Sequence, residues 1–239
     1  MSVANTATRI NSETVRFPGD QFILQAFLAH PGDGNSQQPA IIILHEWWGL
    51  NDHIKEIARR FAQAGYVALA PDLYSRLGNT ITKDAAEAAK LMDSLSSQLV
   101  LRDLNAATTF LKAQRFVDPL HLGIIGFCMG GTLALNQTMH NSDMKAATIF
   151  YGKVPPIESF KYLLCPILYH HGTKDGWVTK QEVDRLRQGL QVNGKPGDVI
   201  SYPNAEHAFF NDTRPEVYRK DDAAQAWQRT LQFFGNYLR

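Results

Sequence analysis

What most constrains this chain is an alternation that repeats along it. Short, continuously apolar runs rich in β-branched residues are each followed by a segment whose apolar residues recur at helical spacing. Ala40-Ile41-Ile42-Ile43-Leu44 is apolar at every position. A strand with that pattern has no face suited to water, which is the condition of a strand inside a parallel sheet covered on both sides. A helix is predicted next, because Ile54, Ile57, Ala58, Phe61 and Ala62 fall on one helical face. Asn51 or Asp52 can cap its start and Gly65 its end.

The alternation continues to the C-terminus. Further strands are predicted at Tyr66 to Ala70 (stopped by Pro71), Leu120 to Ile125, Ala146 to Tyr151, from Pro166 to Tyr169, and at Val199 to Tyr202. Helices are predicted around Ala85, Ala88, Ala89 and Met92; around Leu101, Leu104, Thr108 and Leu111; over Met129 to Met139; around Val183, Leu186 and Leu190; and around Ala223, Ala224, Trp227, Leu231 and Phe234. Two extended segments between Val15 and His30, the second from Phe22 to Leu28, precede the alternation, and Pro31 to Ser36 reads as a loop. Strands alternating with helices form βαβ units, so the expectation is an α/β fold with a mostly parallel sheet and helices on both faces.

Composition narrows the function classes. The chain has 239 residues, 44% of them hydrophobic and 20% charged, an ordinary globular balance. No internal repeat or linker interrupts it, so one domain is expected over residues 1–239, with residues 1–13 flexible or loosely packed. Lys and Arg number 24 against 23 Asp and Glu, a formal net charge of +1. Nothing there resembles the basic stripe of a nucleic-acid binder, and no nucleic-acid partner is expected. No apolar run approaches the roughly 20 residues that span a bilayer, so no membrane partner is expected. Met1 to Arg16 is polar and lacks the apolar block of a signal peptide. Cys128 and Cys165 are the only cysteines, which excludes a disulfide framework. The expectation is a cytoplasmic protein, monomeric or weakly dimeric. His45-Glu46 is not followed by a second His at metalloprotease spacing, and the adjacent His170-His171 would point to opposite faces of a strand. No metal or other cofactor is expected.

The chemistry concentrates at Gly126-Phe127-Cys128-Met129-Gly130-Gly131, between an apolar strand and a helical segment. That is the strand–turn–helix setting of a nucleophile elbow, with Cys in the usual place of Ser. Small neighbours are required by so tight a turn, and Gly126 and Gly130 supply them. The backbone N–H groups of the following helix would favour a thiolate. A plain buried cysteine in a Gly-rich turn is the bland alternative. The elbow, however, demands an acid and then a His on loops after later strands, and both are present. Tyr169-His170-His171-Gly172-Thr173-Lys174-Asp175 follows an apolar strand start and places Asp175 in the next loop, and His207 follows the last strand within Ala205-Glu206-His207-Ala208-Phe209. Asp175 alone would read as a turn residue, and His207 as one of eight histidines. Together they define a Cys128–His207–Asp175 arrangement: Cys128 attacks an acyl carbon, His207 moves the proton, and Asp175 orients the imidazole. Oxyanion donors are expected from the Met129 N–H and from the loop His45 to Asn51, best from Trp47. Glu46, a carboxylate beside two Trp, would be costly to bury unpaired.

These motifs resemble the dienelactone hydrolase family, the cysteine branch of the α/β-hydrolase fold. The resemblance runs from about Thr14 to the C-terminus. It is carried by His45-Glu46-Trp47-Trp48-Gly49-Leu50-Asn51, Ala70-Pro71-Asp72-Leu73-Tyr74, the Cys128 elbow, Phe150-Tyr151-Gly152, Asp175-Gly176-Trp177 and Ala205 to Phe209. It implies Cys128, Asp175 and His207 as the triad, Trp47 and Met129 as oxyanion donors, and Glu46 as the acid that contacts the thiol and assists its deprotonation. It places Tyr151 and Trp177 at the substrate pocket, to which Trp48 and Phe209 would add apolar surface. Well-known members hold a lactone carboxylate partly with an Arg four residues after the catalytic His. Here that position is Asn211, which offers no charge. Weak selection for a substrate carboxylate is therefore expected, unless Arg76, Arg102 or another cation replaces the charge. The functional expectation is hydrolysis of a small ester or lactone through an acyl-cysteine. The rivals are a broader carboxylesterase or thioesterase, and a non-catalytic thiol sensor.

Overall fold

The computed structural model describes residues 9–32 and 36–239. Eight strands, β1 (Ile10–Pro18), β2 (Ile23–Pro31), β3 (Gln38–Leu44), β4 (Val67–Pro71), β5 (Val117–Phe127), β6 (Met144–Phe150), β7 (Ile167–Gly172) and β8 (Gly197–Tyr202), form one sheet in the order β1-β2-β4-β3-β5-β6-β7-β8. The helices are α1 (Asp52–Gln63), α2 (Ala85–Asp93), α3 (Ser97–Lys112), α4 (Met129–Gln137), α5 (Lys180–Val192) and α6 (Lys220–Leu238).

The continuous apolar runs have a direct structural cause. Along β3, Ala40, Ile42 and Leu44 enter one core cluster while Ile41 and Ile43 enter another. Along β5, Leu122 and Ile124 go to the first cluster and Ile125 and Phe127 to the second. Helices α3, α4 and α5 cover the first cluster, and α1 and α6 the second. Both faces of the central strands are thus removed from water, and neither can carry a polar alternate position. The Phe61 ring of α1 lies 4.6 Å from Trp227 and 6.0 Å from Phe234 of α6, joining the two helices of that face.

Strands β3 to β8 pair in parallel, and only β1 and β2 run antiparallel to their neighbours. A short turn joins β1 to β2, too short for the crossover that parallel pairing needs. The expected loose N-terminus is overturned in part, since residues 10–13 begin β1 and pair with residues 28–31 of β2. Residues 1–8, and residues 33–35 of the predicted Pro31–Ser36 loop, lie outside the described residues. Pro71 does not stop β4 but ends it, paired with Ala26 of β2.

The strand order fixes where a site can form. The chain leaves β3 for β4 on one side and returns as β5 on the other. Loops leaving the carboxyl ends of β3 and β5 therefore diverge, and a crevice opens between them. Among the described residues, no helix is long and apolar enough to cross a membrane.

Candidate active site

Each predicted site residue leaves the carboxyl end of a parallel strand: Glu46 and Trp47 after β3, Cys128 after β5, Tyr151 after β6, Asp175 after β7 and His207 after β8. Cys128 has φ 53° and ψ −118°, a conformation that costs energy for a residue with a Cβ. The turn is enforced by contact. A Cβ on Gly126 would fall 2.0 Å from the Gly130 carbonyl oxygen, and one on Gly130 would fall 2.3 Å from that of Leu44. Tyr151 and Ala208 also have positive φ, so three loops at this end of the sheet carry backbone strain.

Asp175 and His207 are in direct contact. The His207 Nδ1–H donates to Asp175 Oδ2 at 2.8 Å, while Asp175 Oδ1 accepts the N–H groups of Trp177 and Val178, each at 2.8 Å. Both carboxylate oxygens are thereby engaged, so the ring has one orientation. The His207 ring is also packed between Tyr151 and Trp177, at centroid distances of 4.9 and 5.0 Å. With Nδ1 donating, Nε2 of the neutral ring is the acceptor, and it has no partner among the described residues.

Cys128 is buried, and its thiol pKa is raised. Burial is the largest cause, the Glu46 carboxylate is the second, and Asp175 adds to them. Hydrogen bonding from the backbone N–H groups of Met129 and Trp47 opposes the rise without reversing it. The expectation that the helix N-terminus favours a thiolate is thus corrected: desolvation and a neighbouring carboxylate outweigh the amides. The backbone N–H groups of Met129 and Trp47, the donors expected for the oxyanion hole, are the two that lower this thiol's pKa.

Glu46 is buried but not unpaired. Asn211 donates to its Oε2 at 2.6 Å, and the Tyr151 hydroxyl to its Oε1 at 3.3 Å. Burial and Glu46 keep the Tyr151 phenol protonated, and therefore a donor.

A cavity of about 210 Å³ is lined by Cys128, His207, Trp47, Trp177, Met92 and Arg214. A neighbouring cavity of about 390 Å³ shares Arg214 and adds Trp48 and Asn211. The predicted pocket needs correction in several places. Trp177 lines the cavity at the thiol. Trp48 and Asn211 face the neighbouring one, and Tyr151 supports Glu46 and His207. Phe209 is core, fully buried against Tyr151 and Tyr202. Arg76 binds Asp103 in two hydrogen bonds and the Asp20 carbonyl, and Arg102 pairs with Asp20, so neither guanidinium faces the thiol cavity. The cation that does is Arg214, which also stands over the Trp48 ring at 5.7 Å. Sequence reasoning missed Arg214 and Met92. Arg214 lies seven residues after His207, on the same loop as Asn211, and that proximity was the available signal. Among the described residues, no group of three or more His, Cys, Asp or Glu is placed to hold a metal ion.

Comparison with known proteins identifies the family. The profile of the dienelactone hydrolase family matches residues 24–238. A Methylorubrum extorquens protein assigned as a carboxymethylenebutenolidase is 32% identical over 248 residues, covering 99% of this chain and 84% of that protein. A Yersinia pestis protein with the same assignment is 34% identical over 235 residues, covering 92% and 86% respectively. A Klebsiella pneumoniae crystal structure assigned as a dienelactone hydrolase superposes with a TM-score of 0.91 at 31% identity, covering 96% of this chain and all of that one. Fold and sequence similarity converge: the chain belongs to the dienelactone hydrolase family of α/β-hydrolases.

Proposed function

We propose that this hydrolase cleaves small esters or lactones through an acyl-cysteine formed on Cys128. The observation that supports the reading most is that Cys128 and His207 line one cavity while Asp175 holds the other ring nitrogen of His207. A substrate carbonyl oxygen entering between the Trp47 and Met129 N–H groups would take over donors that now serve the sulfur. The thiol then gives its proton to His207 Nε2 as Sγ attacks the carbonyl carbon, forming the C–S bond and moving the carbonyl π pair onto oxygen. Collapse breaks the C–O bond, and the departing alkoxide takes the proton from the imidazolium. Water, deprotonated by His207, attacks the thioester. The sulfur leaves, regains its proton, and an acid is released.

Glu46 acts in two ways in this reading. Its charge keeps the thiol protonated before the carbonyl arrives, limiting adventitious oxidation. It then assists loss of that proton when the sulfur is displaced from its amides. Arg214, the only Lys or Arg among the described residues that lines the thiol cavity, favours substrates that carry an anionic group beyond the scissile bond.

The test is turnover of p-nitrophenyl acetate and a panel of small lactones. Activity abolished by iodoacetamide and by Cys128→Ala supports the reading. Activity that survives both overturns the acyl-cysteine step, and no activity on any member of the panel overturns the hydrolytic reading and favours the thiol-sensing alternative.

A further inference from the structure

We infer that His45 is a positioning residue for the oxyanion hole: it fixes the peptide that carries the Trp47 N–H and so aims that donor at the reacting centre. This rests on the hydrolytic reading above and adds to it a residue that does not touch substrate.

His45 is completely buried at the end of β3. Its Nε2 lies 3.0 Å from the backbone nitrogen of Leu73, and its Nδ1 lies 2.5 Å from the Glu46 carbonyl oxygen. An amide N–H can only donate and a carbonyl can only accept. Nε2 is therefore the acceptor, Nδ1 carries the proton, and the neutral ring has a single consistent tautomer.

The Glu46 carbonyl and the Trp47 N–H belong to one peptide unit. There is no cis peptide among the described residues, and in a planar trans unit the two groups point in opposite directions. Holding the carbonyl toward the His45 ring turns the Trp47 N–H the other way, on a residue that lines one cavity with Cys128; that N–H is also one of the two backbone donors that lower the thiol pKa. A hydrogen bond accepted by the carbonyl also polarises the unit and strengthens its N–H as a donor.

The same segment steadies the next peptide. The Tyr74 hydroxyl donates to the Trp47 carbonyl at 2.9 Å, and the Tyr74 ring lies 5.2 Å from that of His45. Asp72 Oδ1 accepts the Tyr74 N–H at 2.9 Å and lies 3.7 Å from His45 Nε2. Residues 72–74, just past β4, thus form a template against which the loop after β3 is set. Without it, a catalytic donor on a loop has no reason to keep a fixed direction.

The experiment compares an ester with its thionoester, whose sulfur accepts hydrogen bonds poorly, so that the rate ratio reports on the oxyanion donors. In His45→Phe, kcat for the ester should fall by roughly tenfold to a hundredfold, less than complete loss of one oxyanion donor, with KM nearly unchanged. The ester-to-thionoester ratio should shrink with it. His45→Gln, whose amide can both donate and accept, should recover part of both. An unchanged ratio in folded His45→Phe overturns the inference. Nitrogen-15 spectra of the unmodified protein decide independently of how any variant folds: a proton on His45 Nδ1 supports it, and one on Nε2 overturns it. Absence of iodoacetamide-sensitive turnover in the unmodified protein would instead overturn the hydrolytic reading, while the spectra still decide the His45 arrangement.

Discussion

Asn211 donates its amide N–H to Glu46 Oε2 across 2.6 Å, between two buried side chains far apart in the chain. The expectation from sequence put Asn211 in the substrate pocket. Its nitrogen instead satisfies a buried carboxylate, and its Oδ1 accepts from the N–H and hydroxyl of Thr213. Asn211→Leu removes both roles. It should destabilise the protein by about 1–3 kcal/mol, the cost of leaving a buried polar group short of a partner. Urea denaturation measures this; a midpoint equal to that of the unmodified protein would show that Glu46 finds another donor without cost.

Glu46→Gln keeps the shape and can still accept from Asn211, but removes the charge. Since the carboxylate raises the Cys128 thiol pKa, the variant's thiol should ionise at lower pH. The midpoint of the iodoacetamide alkylation rate against pH should move down, while ester turnover falls and the fold is retained. Wild-type turnover with an unmoved midpoint would make Glu46 a structural residue only.

His170 provides a stability prediction independent of catalysis. It is fully buried between the Tyr202 and Thr230 hydroxyls, and burial lowers its pKa from 6.5 to about 3. A lowered folded-state pKa means the unfolded chain binds the proton first. The contribution to stability is therefore complete above pH 6.5 and is lost as pH falls toward about 3. In that window the unfolding free energy should fall by as much as about 1.4 kcal/mol per pH unit from this group alone. His170→Gln should reduce that slope by about one proton. An equal slope in the variant would place the acid sensitivity elsewhere.

Most of the fold was legible because the sequence expresses it locally. Every predicted strand and helix from Ala40 onward corresponds to an observed element, since an all-apolar run such as Ile41–Leu44 has few other uses and Asn51 does cap α1 through the Ile54 N–H. The strand order was not legible, because the placement of β5 beside β3 is decided by long-range packing. The same division holds at the site. Cys128, Asp175 and His207 sit at fixed offsets from strand ends, so chain order located them. The walls of the cavity did not follow, because whether Phe209 faces substrate or core depends on Tyr202 at the end of β8 and on Tyr151, which arrives after β6. Arg76 misled for a related reason: its partner Asp103 comes from α3, and nothing in the Pro71-to-Tyr74 motif announces it.

Arg214 is the kind of compensating cation that the expectation drawn from Asn211 allowed for. That expectation was weak selection for a substrate carboxylate, yet a guanidinium borders the thiol cavity from the same loop. Its Nε is bound to Glu216 at 2.8 Å, and its side chain is 33% exposed. An Arg guanidinium bordering the cavity is suited to pair with a substrate carboxylate. A charged hydrogen bond contributes about 1.5–3 kcal/mol, and solvent contact puts this site at the lower end. Arg214→Gln should therefore lower kcat/KM for a carboxylate-bearing lactone by roughly tenfold. The neutral methyl ester of the same compound should be affected little. Arg76→Gln, which breaks the contacts with Asp103 and the Asp20 carbonyl, should leave the ratio of the two substrates unchanged. If the unmodified protein shows no preference for the anion, or if the preference survives Arg214→Gln, then Arg214 serves only to cover Trp48, and the cavity selects its substrate by shape.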